Sequence, residues 1–187
     1  MAYKTDNQIL ADVIGVINGW LANSGQSGWK VVQAFQPRPM GLHDKMILLS
    51  HVYSRQVGYQ KGYDQDLPNS SGGGMTFTHI EDWLEEIRLQ VSCFCNRNPG
   101  TDTVETWTAE DVAKRLVAYF NSTAGLSAFY ALGYGKLRRD VARVRPIVND
   151  SESFQLIPNF DIVLIHEQTV ETSATPARFG GLQIVGF

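Results

Sequence analysis

Two extended runs separated by a turn-rich segment constrain this chain more than any other feature. Residues 46–63 (MILLSHVYSRQVGYQKGY) read as strand, residues 64–74 (DQDLPNSSGGG) as a loop, and a second extended run closes at Cys95. At about 3.3 Å per residue, the first run alone spans on the order of 55 Å. A compact chain of this length has a radius of gyration of about 16 Å. A hairpin of that reach, with its arm at about residues 55–85, leaves its own globule and needs a neighbour to rest on. The pattern points to an assembly subunit before it points to an enzyme.

The 187 residues fit one domain, and 43% hydrophobic with 19% charged residues suffices for a core without disulfide staples. A net charge of −3 implies neither a nucleic-acid grip nor a membrane-surface patch. No run approaches the roughly 20 apolar residues of a membrane span. The first residues intersperse Asp6 and Asp12 with apolar ones, which is not a secretory layout. A soluble protein with no membrane partner is expected. Cys93 and Cys95 lie on one face of one strand, poorly placed to bond each other. Reduced thiols and folding in the cytoplasm follow.

Local signals order the elements. Thr5 and Gln8 stand in capping-box spacing, and Ile9, Val13, Ile14, Ile17, Trp20 and Leu21 form one apolar stripe over residues 5–22. A short strand over 29–36 is stopped by Pro37 and Pro39, with a turn after it. Residues 85–96 alternate as a strand. Ile80, Trp83, Leu84 and Ile87 sit at helical steps, so residues 79–84 fit either a strand or one helical turn. Thr108 reads as an N-cap before acidic Glu110 and Asp111, with Val112, Leu116, Tyr119 and Phe120 as the stripe. Residues 126–132 suggest a short third helix before Gly133 and Gly135. Strands over 141–148 and 158–172 follow, the apolar run Ile162–Ile165 marking the second as central. The expected fold is α+β: an antiparallel β-sheet with a long β-hairpin arm, flanked by two or three helices on one face. A tail at about 173–187 is apolar at its end.

Chemistry-bearing constellations are few. His43, His51, His79 and His166 show no metal-ligand spacing. Cys93 and Cys95 lack a second cysteine pair, and two small residues inside a sheet is the plainer reading. Ser70–Gly74 has the composition of a phosphate loop without its Gly-Lys-Ser/Thr ending. The acidic residues Glu81, Asp82, Glu85 and Glu86 could hold a divalent cation, although a solvated face fits them better. No catalytic, metal-binding or cofactor-binding residue is expected, and no cofactor. A small metal- or ligand-binding domain, using the acidic cluster or Cys93, Cys95 and His79, is the rival class. Metal in the purified protein would reveal it.

The candidate interface residues come from charge and exposed apolar character. Arg139, Arg143 and Arg145 would share one face of a regular strand, against a neighbour's acidic residues, nucleic acid or solvent. Tyr59, Tyr63 and Phe77 lie on the arm. Phe179, Leu182, Ile184, Val185 and Phe187 lie on the tail.

The segments Gln33–Gly41 (QAFQPRPMG), Ile47–Arg55, Leu89–Phe94 and Phe154–Phe160 (FQLIPNF), in this order around a helix, resemble the neck or tail terminator proteins of tailed bacteriophages. In that family a short N-terminal helix precedes a proline-containing turn, two long strands, a helix and two final strands. The Gly-rich Ser70–Gly74 and the tail beyond Thr172 depart from it. The resemblance implies a virion structural protein made in the host cytoplasm and placed at the neck or tail. It implies a homo-oligomeric ring, commonly hexameric, that terminates the tail or joins the head connector to it without catalysis. The partners implied are further copies of itself, a head-tail connector or adaptor, and tube, sheath or other tail proteins. Transient contact with passing DNA belongs to the same picture. A head-completion adaptor, baseplate piece or fibre-attachment subunit is the alternative within the virion.

Overall fold

The structure, a computed structural model, describes residues 4–26, 28–34, 44–68, 75–96, 106–139, 143–148 and 154–174. Helix α1 (Asp6–Asn23) opens on the expected capping box: Thr5 Oγ1 accepts from the Gln8 amide at 3.4 Å, and Gln8 Oε1 accepts from the Thr5 amide at 2.8 Å. Strands β1 (Lys30–Gln33), β2 (Lys45–Pro68) and β3 (Met75–Cys95) follow. Helices α2 (Ala109–Asn121) and α3 (Thr123–Ala131) come next, then β4 (Tyr134–Arg139), β5 (Arg143–Val148) and β6 (Phe154–Ala174). The architecture is α+β, as the element order suggests.

The strands form one sheet in the order β1-β2-β3-β6-β4, with β5 also paired to β6. All pairs are antiparallel except β1 with β2, which run parallel, so the sheet is mixed and these two strands are not a hairpin. Strand β1 is shorter than residues 29–36. Residues 79–84 are strand: Ile80 stands opposite Tyr63 and Glu171, and Trp83 opposite Gln168. Ladders on both sides satisfy this backbone, which a helical turn between two strands could not do. The helical spacing of its apolar residues is incidental, because Trp83 and Leu84 take opposite faces of the pleat.

The helices cover one face. Ile9, Leu10, Val13, Val16, Ile17 and Leu21 of α1 join Val112, Ala113, Leu116 and Phe120 of α2 and Phe129 of α3 in the core. They meet Ile47 and Leu49 of β2, Ile87, Leu89, Val91 and Cys93 of β3, and Phe160, Ile162 and Leu164 of β6. Phe120 holds the centre, edge-on to Phe129 with ring centroids 5.4 Å apart and 6.1 Å from Phe160. Burial of this kind contributes roughly 1.5–3 kcal/mol per large apolar side chain. Ser122 ends α2 and caps α3, donating to the Tyr119 carbonyl at 2.7 Å and accepting from the Gly125 amide at 3.2 Å. The two helices therefore turn within one residue. Both cysteines are free, and burial pushes the Cys93 thiol up to about 12.

The basic run does not make one regular strand. Strand β4 begins at Tyr134, immediately after Gly133 at φ 84°, where a glycine ends α3 without steric cost. Arg139 registers with Ile162, Arg143 with Asn159 and Arg145 with Ile157. From Arg139 to Arg143 the chain advances four residues while β6 advances three. Two separate strands, β4 and β5, therefore carry the three arginines, whose side chains lie outside the described residues. Ser70–Gly74 and the tail residues Phe179, Leu182, Ile184, Val185 and Phe187 lie outside the described residues.

Candidate assembly surfaces

The long hairpin is in fact three-stranded. Strand β3 pairs with β2 through Met75 and with β6 through Phe77, so its length is ladder on both sides. The helix-covered core cluster ends at Leu49, Ile87 and Leu164, although Ile80 farther along the ribbon is also buried. The segment Met75–Glu86 extends past it by about 40 Å at ~3.3 Å per residue.

Two outer edges of this ribbon are open among the described residues. Strand β1 registers with β2 only from Met46 to Leu49, which frees β2 from Ser50 to Pro68. Strand β4 reaches β6 only as far as His166, which frees Glu167 to Ala174. A free edge presents unpaired N–H and C=O groups to another chain.

The β2 edge is kinked. Its register against β3 slips between His51 and Tyr53 and again between Val57 and Lys61. At the second slip Gly58, Tyr59 and Gln60 stand against Trp83 alone. Gly58 takes φ 83°, a left-handed backbone that only glycine enters freely. The bulge throws Tyr59 into solvent at 97% exposure, beside a shallow depression lined by Val57, Lys61, Leu84 and Glu167. Of the arm residues named from sequence, Tyr59 is thus the one placed on a surface, while Tyr63 and Phe77 contribute backbone to the ribbon, opposite Ile80 and Asp66.

The helix-free face of the sheet carries paired charges. Glu86 accepts from the Tyr53 hydroxyl at 3.0 Å and from Arg55 Nε at 2.9 Å, and Arg88 Nε donates to Asp161 at 2.9 Å. The acidic cluster is dispersed by the pleat: Glu81 lies 3.3 Å from His79, Glu85 turns inward, and Glu86 serves Arg55. Among the described residues no group of His, Cys, Asp or Glu is arranged to hold a metal ion.

At the base of the ribbon a polar node ties the first residues to β6. Lys4 Nζ donates to Asp12 at 2.8 Å and to the Leu132 carbonyl at 2.7 Å, while its amide donates to Gln168 Oε1 at 3.0 Å. Gln168 Nε2 donates to Glu85 at 2.7 Å, and His166 Nε2 lies 3.4 Å from the same carboxylate. Burial holds His166 below its ordinary value, against the opposing pull of Glu85. Burial, then the hydrogen bond to Asp12, pushes the Tyr134 hydroxyl far up. Sequence reading missed this node because its members are scattered. The available signal was that His166 and Gln168 continue the inward alternation of Phe160, Ile162 and Leu164.

Among the described residues no helix is long and apolar enough to cross a membrane. No curated protein matches the chain. A family model described as E217 gateway protein gp29 matches residues 8–176, from the first turn of α1 to just beyond β6. That span includes the helical core, the polar node from Asp12 onward and the whole ribbon. The chain belongs to the E217 gateway protein gp29 family, a family of phage structural proteins.

Proposed function

We propose that this protein is a neck subunit of a tailed phage, closing with further copies into a hexameric ring between the head connector and the tail. The observation that carries the reading is the three-stranded ribbon running past the helix-covered core with both outer edges open among the described residues. A lone copy leaves those edges exposed to indiscriminate pairing, and closure into a ring removes the hazard. Membership of a structural gateway family supports a place on the path by which DNA leaves the head. In this arrangement a head-tail connector or adaptor lies on one side, and tail tube or sheath proteins on the other. DNA makes only transient contact, because Arg55 and Arg88 on the helix-free face are held by Glu86 and Asp161 of the same chain.

The test is the oligomeric state of the full-length protein, by native mass spectrometry and negative-stain microscopy. The expected result is a cyclic oligomer, alone or on addition of its connector. A protein that stays monomeric at high concentration and with the connector present overturns the reading.

A further inference from the structure

One stretch of each open edge matches the other in charge, spacing and direction. The β2 edge from Ser50 to Gly62 carries His51, Arg55 and Lys61 and no carboxylate, with Asp64 and Asp66 following only beyond it. The β6 edge from Glu167 to Ala174 carries Glu167 and Glu171 and no cation. Arg55 and Lys61 stand opposite Glu86 and Asp82, so the bulge between them reduces their separation to four ladder positions. Glu167 and Glu171 stand opposite Leu84 and Ile80, also four positions apart. Each step is about 13 Å. All four β3 partners are even-numbered, so both charged pairs occupy the same, helix-free face of the pleat. Each of the four side chains is exposed, and Arg55, which also bonds Glu86 of its own copy, keeps guanidinium donors for a second carboxylate.

Direction agrees as well. Strands β2 and β6 are both antiparallel to β3, hence parallel to each other. Copies related by rotation about a ring axis keep that polarity. Resting on the ring reading above, we propose that the β2 edge of each copy pairs in parallel with the β6 edge of the next, Arg55 against Glu167 and Lys61 against Glu171. The contact is heterologous, so each copy is both donor and acceptor and rotation closes it. The bulge falls between the two ion pairs, where Tyr59 lies across Val170 of the adjoining copy. A bulge interrupts pairing locally and bends the strand, so it favours a register that places it between the charged pairs.

The experiment uses the full-length chain with Lys61→Cys and Glu171→Cys together. Within one copy these positions are separated by β3, about 10 Å or more, too far for a disulfide. Across the proposed contact they are directly opposed. Mild oxidation is expected to give a covalent ladder ending at the ring size on a non-reducing gel, while Lys61→Cys with Thr172→Cys, exposed but on the other face of the pleat, gives none. As a second arm, Glu171→Lys raises the assembly midpoint concentration about tenfold, since like charges opposed across an interface suppress association. Adding Lys61→Glu to it restores assembly. A ring that forms without crosslinking and ignores both charge changes overturns the edge pairing and leaves the ring reading standing. A wild-type chain that never oligomerises overturns both.

Discussion

The Tyr134 hydroxyl donates to Asp12 Oδ2 at 2.7 Å, fastening the first residue of β4 to the middle of α1. Lys4 completes the triangle, bonded to the same carboxylate oxygen and lying 4.2 Å over the Tyr134 ring. Tyr134→Phe keeps the ring and removes the donor. The expected loss is about 1.5–3 kcal/mol, the range for a hydrogen bond to a charged partner. A lowered urea midpoint with an unchanged slope checks it.

Gly125 and Gly19 should respond to alanine with opposite signs. A Cβ at Gly125 would stand 2.2 Å from the Tyr119 carbonyl oxygen, where backbone must move. Gly125→Ala is expected to destabilise by about 1–3 kcal/mol. Gly19 lies in α1 with nothing within 4 Å of its Cβ position. Gly19→Ala should stabilise by about 0.5–1 kcal/mol. Thermal midpoints of the two variants decide it.

Acid should weaken the protein through His166. Its folded value is depressed by burial, so as pH falls the unfolded chain takes up a proton first. The contribution is fully present above the unfolded value of about 6.5 and declines as pH drops below it. His166→Gln should flatten the fall in stability between about pH 7 and about pH 5.5, as read by urea titration. Glu85, 3.4 Å away, opposes the effect. Glu85→Gln should therefore steepen it.

Removing residues 178–187 should weaken assembly more than folding, because that apolar end lies beyond the residues matched by the family model. Assembly midpoint and thermal midpoint of the truncated chain are the two readouts. An equal fall in both would assign the tail to the core.

Local chemistry was legible, and tertiary juxtaposition was not. Thr5 with Gln8, and Thr108 with the acidic first turn after it, announced both helix starts because a cap is written within four residues. Ile162–Ile165 announced a central strand because burial on both faces demands an apolar run. The opening of β4 stayed hidden, since Gly133 and Gly135 read as a break when only Gly133 turns the chain. The bulge was equally hidden. Nothing in the alternation around Val57 marks Gly58 as left-handed, and the extra residues matter only against Trp83. The matched charges on the two edges needed the ladder register, which sequence spacing alone misstates at that bulge.

Because the helices end their contact with the sheet near Ile87 and Leu164, the far portion of the ribbon can open without disturbing them. Segments with few buried apolar contacts open at small free energies. Backbone amides should thus exchange with deuterium in a gradient, quickest near Met75 and Ala174 and slowest around Leu89 and Ile162. Capture of that end by a neighbour would erase the gradient, making protection of the ribbon a direct gauge of particle construction.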